Sequence, residues 1–586
     1  MKERLFNLAA AFVLLVLTCA TATAQQPTAT PETSPEVTSG AISGSIVNER
    51  GEPMPGASVF LRAMGSINSG RTAAADAEGR FRLTGLEAGL YQITGYSPAY
   101  VFQLQDADTP QSYYRVGDSV RVEMIKGGVI TGTVVNATGE PIVGIRVRAI
   151  RVRDPKGQVA RTPQFNNAER STDDRGMYRI YGLAPGTYVV SAGGAGNQSY
   201  QLTPYETDVP LYAPSSSRDT ATEFTVRSGE ETTADIRYRS EMGHTVSGSV
   251  KVAATNGAAV TLTPVEGSGF MPAGNTMQAP GGRGFEMSGI GDGEYYVVAM
   301  ELPVNQMNVT TMPDIPMSEP KRITVKGADV SGIELITRPS SSLGGRVALE
   351  PSKAPECQGK RKPLFAETLI DLVRHEKDAD AQPIFMRMMA SAMSPDPKGA
   401  FVFRNLTPGR YRLDTSFHAR FWYLQSISIG APSSTPTAAK TATPKIDPAA
   451  SWTIVKPGEK IADVTITLAE GAASIRGKVP VAEGAAIASG AIYLVPAETD
   501  KAADVLRYFI TNVSSDGTFT LNSLPPGRYW SLLQNPVQTE LATLIKLRSP
   551  ESAEARTKLR RSAESQKSEV ELKPCQTLTD YQLSFK

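Results

Sequence analysis

This 586-residue chain offers little for metal or thiol chemistry. The histidines are His244, His375 and His418, and the cysteines are Cys19, Cys357 and Cys575. Metal-assisted hydrolysis needs several His or carboxylate ligands at fixed spacing, a general base and an open position for water. The three histidines are scattered and none opens a His-x-x-Glu. No Gly-x-Ser-x-Gly elbow or P-loop is evident, and neither Cys357 nor Cys575 has a catalytic neighbourhood. The expectation is a non-enzyme with no catalytic residue, no bound metal and no cofactor.

Three other chemistries deserve weighing. Cys357, in Pro355-Glu-Cys-Gln-Gly-Lys-Arg361, and Cys575, in Lys573-Pro-Cys-Gln576, sit in apparent turns of two different domains. An exported chain can oxidise such a pair to an inter-domain disulfide, the alternative being two free thiols. Phe421-Trp422-Tyr423 and Trp530 are aromatics able to stack on sugar rings, and Trp422, Tyr423 and Trp530 are the glycan-site candidates. Strand alternation sends about half of such side chains into a core instead. Asp76, Asp173 and Asp396 each stand three residues before a glycine. Calcium would ask for a denser acidic cluster, so a turn role is expected.

The compartment follows from the first residues. Lys2 and Arg4 precede the apolar run Leu5 to Leu17, and Ala22-Thr23-Ala24 supplies small residues for cleavage. A mostly apolar run of thirteen residues is too short to span a bilayer, so residues 1–24 read as a secretory signal peptide. Cys19 after Val16-Leu17-Thr18 offers a lipoprotein as the minor alternative. No later stretch reaches 18 apolar residues, so no transmembrane segment is expected after cleavage. The location is exported: periplasm, outer surface or extracellular. Residues 25–39 are a Pro/Thr-rich linker. With 60 Lys and Arg against 59 Asp and Glu, the chain lacks the basic excess of a nucleic-acid binder.

The elements that must position these residues recur. An opening strand reads Ile42-Ser-Gly44-Ser-Ile46, Ile130-Thr-Gly132-Thr-Val134, Val246-Ser-Gly248-Ser-Val250, Leu343-Gly-Gly345-Arg-Val347 and Ile475-Arg-Gly477-Lys-Val479. The glycines lie 88, 116, 97 and 132 residues apart, a domain spacing rather than a solenoid one. A second piece is Asp76-x-x-Gly79-x-Phe81 with Leu86, Gly89 and Tyr91. It returns around Tyr178, Phe285, Phe401 and Phe519, always with an apolar residue at +5, Gly at +8 and Tyr at +10. Asp and Gly suit a turn, and Phe-x-Leu alternates into a half-buried strand. A third piece closes each unit, from Gly117-Asp118 to Met124 in the first. In the last, Cys575 takes the place of the turn residue Gly458.

Each unit therefore reads as an all-β sandwich of about seven short strands. The units fall at 40–126, 127–239, 240–339 (degenerate), 340–470 and 471–586. Residues 431–450 form a low-complexity loop in the fourth. Residues 550–567 are expected to be a short surface helix in the fifth. Thr368 to Val373 reads as a strand by register. Five domains in line would reach on the order of 150 Å.

Gly44 through Gly51-Glu-Pro53, Gly56 and Val59, then Asp76-x-x-Gly79-x-Phe81 and Leu86-x-x-Gly89-x-Tyr91, resemble a carboxypeptidase regulatory-like domain. Gly132 through Gly139-Glu-Pro141, Gly144 and Val147 repeat it. The arrangement is similar to secreted bacterial multi-repeat proteins of this family. The resemblance implies a tandem array of about five transthyretin-like (prealbumin-like) β-sandwiches, related in shape to the carbohydrate-binding-like fold. It implies no peptidase activity. The expected role is a non-catalytic secreted or cell-envelope structural and interaction protein with an unknown protein or envelope-glycan partner. Carbohydrate binding is the alternative.

Overall fold

The computed structural model describes residues 40–64, 70–102, 113–159, 169–194, 204–252, 256–265, 274–278, 284–303, 314–360, 362–375, 392–417, 419–430, 449–479, 490–514, 517–534, 541 and 543–583. The signal peptide, the linker, Cys19, His418, Asp516 and nearly all of the 431–450 loop lie outside them.

The three repeated sequence pieces become three neighbouring strands. Opening strand Gly40–Asn48 pairs antiparallel with Arg80–Leu86 and parallel with closing strand Ser119–Lys126. The opening strands Gly128–Val135, His244–Lys251, Ser341–Glu350 and Ala473–Lys478 do the same with their own partners. In all five the opening glycine faces the motif aromatic: Gly44 with Phe81, Gly132 with Tyr178, Gly248 with Phe285, Gly345 with Phe401 and Gly477 with Phe519. Only glycine fits there. A Cβ on Gly345 would lie 1.8 Å from the Val464 carbonyl oxygen of the closing strand, and one on Gly44 would lie 1.9 Å from that of Val120.

The second sheet of the first sandwich runs Arg71–Ala74, Ser58–Ala63, Leu90–Tyr96, Tyr114–Arg115. Its core is what period-2 alternation dictates: Ile42, Ile46, Phe81, Leu83, Val120 and Val122 from one sheet meet Val59, Leu61, Tyr91 and Ile93 from the other. Among the described residues, the first and fourth sandwiches each hold eight strands rather than about seven. The additional ones, such as Tyr114–Arg115 and Ala392–Met393, are two-residue edges too short to show alternation. In the third, Met317–Ser318 bridges Gly293–Pro303 to Val330–Arg338 and joins both sheets into one.

Three of the four closing strands lead almost directly into the next sandwich, the exception being the junction between Ile236–Arg237 and His244–Lys251. Only Gly127 separates Ser119–Lys126 from Gly128–Val135, and only Gly471 and Ala472 separate Lys460–Glu470 from Ala473–Lys478. The units are not simply in line, because Gly89 of the first sandwich lies against Ala366 of the fourth.

The fifth sandwich departs from a two-layer plan. Every residue of strand Ala491–Pro496 is buried. Ile492 and Leu494 enter the core between the sheets, while Ala491, Tyr493 and Val495 form a second core with Leu532, Leu547, Leu559 and Ala563. Helix Ala553–Gln566 thus covers the outer sheet face rather than lying free on the surface. A strand apolar on both faces requires such a lid. Thr368–Arg374 is a strand.

Candidate functional site: repeated turns and a polar joint

The repeated polar residues are engaged by the backbone. Asp76 Oδ1 accepts from the N–H groups of Glu78 (3.0 Å) and Arg80 (2.7 Å). Asp173 does so with Arg175 and Met177, and Asp396 with Lys398 and Ala400. These N–H bonds, led by that from Arg80 in the first unit and Met177 in the second, hold the Asp76 and Asp173 carboxyls below their ordinary range. Such geometry is an Asx turn.

The tyrosine at +10 closes a corner in every unit. Its hydroxyl donates to the carbonyl four residues back: Tyr91 to Glu87 (2.6 Å), Tyr188 to Ala184 (2.7 Å), Tyr295 to Gly291 (2.8 Å), Tyr411 to Thr407 (2.7 Å) and Tyr529 to Pro525 (2.8 Å). Its ring is buried each time. Sequence reasoning found the residue but not the bond; the signal was the fixed spacing between tyrosine and the preceding turn.

A different polar cluster lies on the outer face of the fourth sandwich's second sheet. Ile370, Leu372, Tyr411 and Leu413 point into the core, so Asp371, Arg412 and Asp414 point out. Yet Arg412 is only 1% exposed. It donates to the carbonyls of Ile545 (3.1 Å) and Arg548 (3.4 Å) in the fifth sandwich's arm. Arg548 in turn donates to Asp414 Oδ1 at 3.0 Å and to the Tyr508 carbonyl at 3.3 Å, and lies 5.1 Å over the Phe509 ring. One carboxylate thereby serves two guanidiniums, since Arg412 is 3.8 Å from Asp414 Oδ2. Burial pulls the Arg412 guanidinium below its usual range. Val505 and Leu506 of the fifth sandwich enter the fourth's core. His375, 3.5 Å from Glu551, and Trp452, which donates to Glu551 at 2.6 Å, rim the same joint. Asp371 accepts from Ser416, but burial, aided by the Asp414 charge, pushes its carboxyl up to about 7. Burial and the Asp371 charge push the Tyr113 phenol of the first sandwich up to about 12.

Cys357, ending a short 3-10 turn, and Cys575, before the last closing strand, are joined with Sγ atoms 1.99 Å and Cα atoms 5.4 Å apart. Both are buried. Cys575 and Gly458 share the left-handed backbone, at φ 55° and 70°.

Of the aromatic candidates, Trp422 is 1% exposed and packs in the fourth core, so it cannot offer a face to a sugar. Its strand alternates Trp422 and Leu424 inward. Tyr423, next in that strand, and Trp530, against the fifth sandwich's second core, are partly buried and in different sandwiches. The structure does not bring the three candidates together. Exposed aromatics lie elsewhere: Phe60 is 45% and Tyr96 51% exposed on one outward face of the first sandwich.

The fold thus defines a tandem array of β-sandwiches with a repeated structural motif and a fused final pair. Residues 41–111 and 129–239 match the family model of the carboxypeptidase regulatory-like domain. The matched segments fall in the first two sandwiches, and the other three repeat the same strand register. Among solved structures, the Bacillus anthracis TIE protein is similar at 15% identity over 51% of each chain, with a TM-score of 0.13. The match spans about half of that protein's length. The minor pilin GBS52 of Streptococcus agalactiae matches at 14% identity over 34% of this chain and 97% of its own, with a TM-score of 0.19. The shaft pilin SpaA of Lactobacillus rhamnosus GG matches at 12% identity over 34% of this chain and 99% of its own, with a TM-score of 0.16. No curated protein matches.

Proposed function

We propose that this chain is an exported, non-catalytic structural protein whose sandwich surfaces contact protein or glycan partners of the cell envelope. The observation that carries this reading is the use made of the repeated side chains. Glycine, aromatic and tyrosine hold the fold in all five units, and the motif aspartate does so in three. The signal-like residues 1–24 support export, and no helix among the described residues is long and apolar enough to cross a membrane. The test is fractionation of cells expressing the full chain, with N-terminal sequencing. Recovery outside the cytoplasm, starting near residue 25, is expected; cytoplasmic protein retaining Met1 would refute the reading.

A second reading, glycan binding, draws on Phe60 and Tyr96. Phe60 pairs with Thr94 and Tyr96 with Ser58, so the two residues are diagonal neighbours on one face, at a usual residue spacing of about 7–8 Å. Neutral polar Thr72 and Thr94 flank Phe60. On a polysaccharide panel, binding lost in Phe60→Ser and Tyr96→Ser supports it. Absence of binding, or binding indifferent to both, rejects it.

A further inference from the structure

We propose that the chain is a tension-bearing tether in which the first three sandwiches are loaded in shear and the last two are covalently held against extension. This rests on the structural reading above, but its test does not depend on where the chain resides.

The argument begins with strand direction. In each sandwich the first and last strands are hydrogen-bonded neighbours running parallel: Ser43–Asn48 with Ser119–Met124, Val246–Lys251 with Val330–Ile336, Ser342–Glu350 with Lys460–Ala469. The second and fifth repeat the arrangement. The chain therefore enters such a pair at one end and leaves at the other. Tension on the termini slides the two strands along each other and strains the whole ladder at once. An antiparallel hairpin held at its open end parts one bond at a time. The one- and two-residue junctions hand force from a closing strand straight to the next opening strand.

The disulfide then changes the path. Force arriving along Ser341–Glu350 reaches Cys357 seven residues later, crosses to Cys575 and leaves through Thr577–Gln582. Everything between the cysteines, a separation of 218 residues, is short-circuited. At about 3.6 Å per extended residue, roughly 780 Å of chain is withheld from stretching. The contact of the first sandwich with the fourth parts first and releases no folded chain.

The experiment is single-molecule force extension of the chain from residue 25 to 586, with handles at its two ends. In the oxidised protein, unfolding steps should come from the first three sandwiches, and the contour length should stop short of the full chain. Reductant should add about 780 Å in further steps. Cys357→Ser should show that added length without reductant. If that variant misfolds, wild-type protein reduced after folding carries the same comparison. Equal contour length with and without reductant would overturn the lock. For the shear claim, the first sandwich pulled through the chain ends should rupture at several-fold higher force than when handles on Gly40 and Glu87 unzip its antiparallel pair Gly40–Asn48 and Arg80–Leu86. Equal forces would overturn it.

Discussion

Gly345→Ala tests the idea that the opening glycine exists for close strand approach. Its Cβ would stand 1.8 Å from the Val464 carbonyl oxygen and 2.6 Å from the carbonyl carbon. Both are backbone atoms of a paired strand, so no side chain can swing away. Restoring ordinary contact asks Lys460–Glu470 to retreat by roughly 1.5 Å from a usual ~4.8 Å spacing, which carries neighbouring ladder bonds out of range. Two or three lost bonds at about 1 kcal/mol each, with overpacking of about 1–3 kcal/mol, give roughly 3–6 kcal/mol. The chain's three tryptophans, Trp422, Trp452 and Trp530, all belong to the fourth and fifth sandwiches. Tryptophan fluorescence in urea therefore reads this pair alone. With a slope of about 2–3 kcal/mol per molar for a pair of this size, the midpoint should fall by roughly 1–3 M. Gly132→Ala meets the Ala234 carbonyl oxygen at 2.2 Å in the second sandwich, yet should leave the tryptophan transition in place. A Gly345→Ala midpoint within about 0.3 M of wild type would refute the reasoning.

The remaining predictions use the same readout. Tyr411→Phe removes the 2.7 Å bond to the Thr407 carbonyl and should cost about 1 kcal/mol, whereas Tyr188→Phe should not move the tryptophan signal. Asp414→Asn leaves Arg412 and Arg548 buried without their anion. It should cost about 3–5 kcal/mol and raise hydrogen exchange over residues 541–551; a loss under about 1 kcal/mol would contradict the shared-carboxylate account. Asp371 holds its proton more tightly folded, with a pKa of about 7, than unfolded, near ~3.9. Its contribution to stability is therefore complete below pH ~4 and lost as pH rises through about 7, so the midpoint should fall from pH 5 to pH 8. Asp371→Asn should flatten that fall, and an undiminished pH slope in the variant would assign it to other groups.

Much of the fold was legible because its signals are local. The Phe81, Tyr178, Phe285, Phe401 and Phe519 spacing located one strand per unit, and the opening glycines located its partner. What the spacing could not convey was geometry across the chain. The tyrosine was marked by its fixed +10 spacing, but its bond to a carbonyl four residues back depends on the turn conformation between them. The helix over Ala491, Tyr493 and Val495 was expected as a surface element, because its own sequence does not show which strand face it covers.

The joint was hidden for a deeper reason. Alternation in Arg410–Asp414 sorts residues into inward and outward, and for a lone sandwich outward means solvent. In a tandem chain, outward can also mean a neighbour. Arg412 and Asp414 look like ordinary surface charges until Arg548, 134 residues beyond Asp414, arrives to bury them. Nothing in either segment encodes the other's approach, because a guanidinium and a carboxylate read the same whether hydrated or paired. A related ambiguity surrounds Trp422. Its neighbours Phe421 and Tyr423 suggested an aromatic platform, while the inward phase of Trp422 and Leu424 fixed it in the core. The same two-residue period that makes a sandwich readable therefore misleads about function wherever a second sandwich supplies the missing wall.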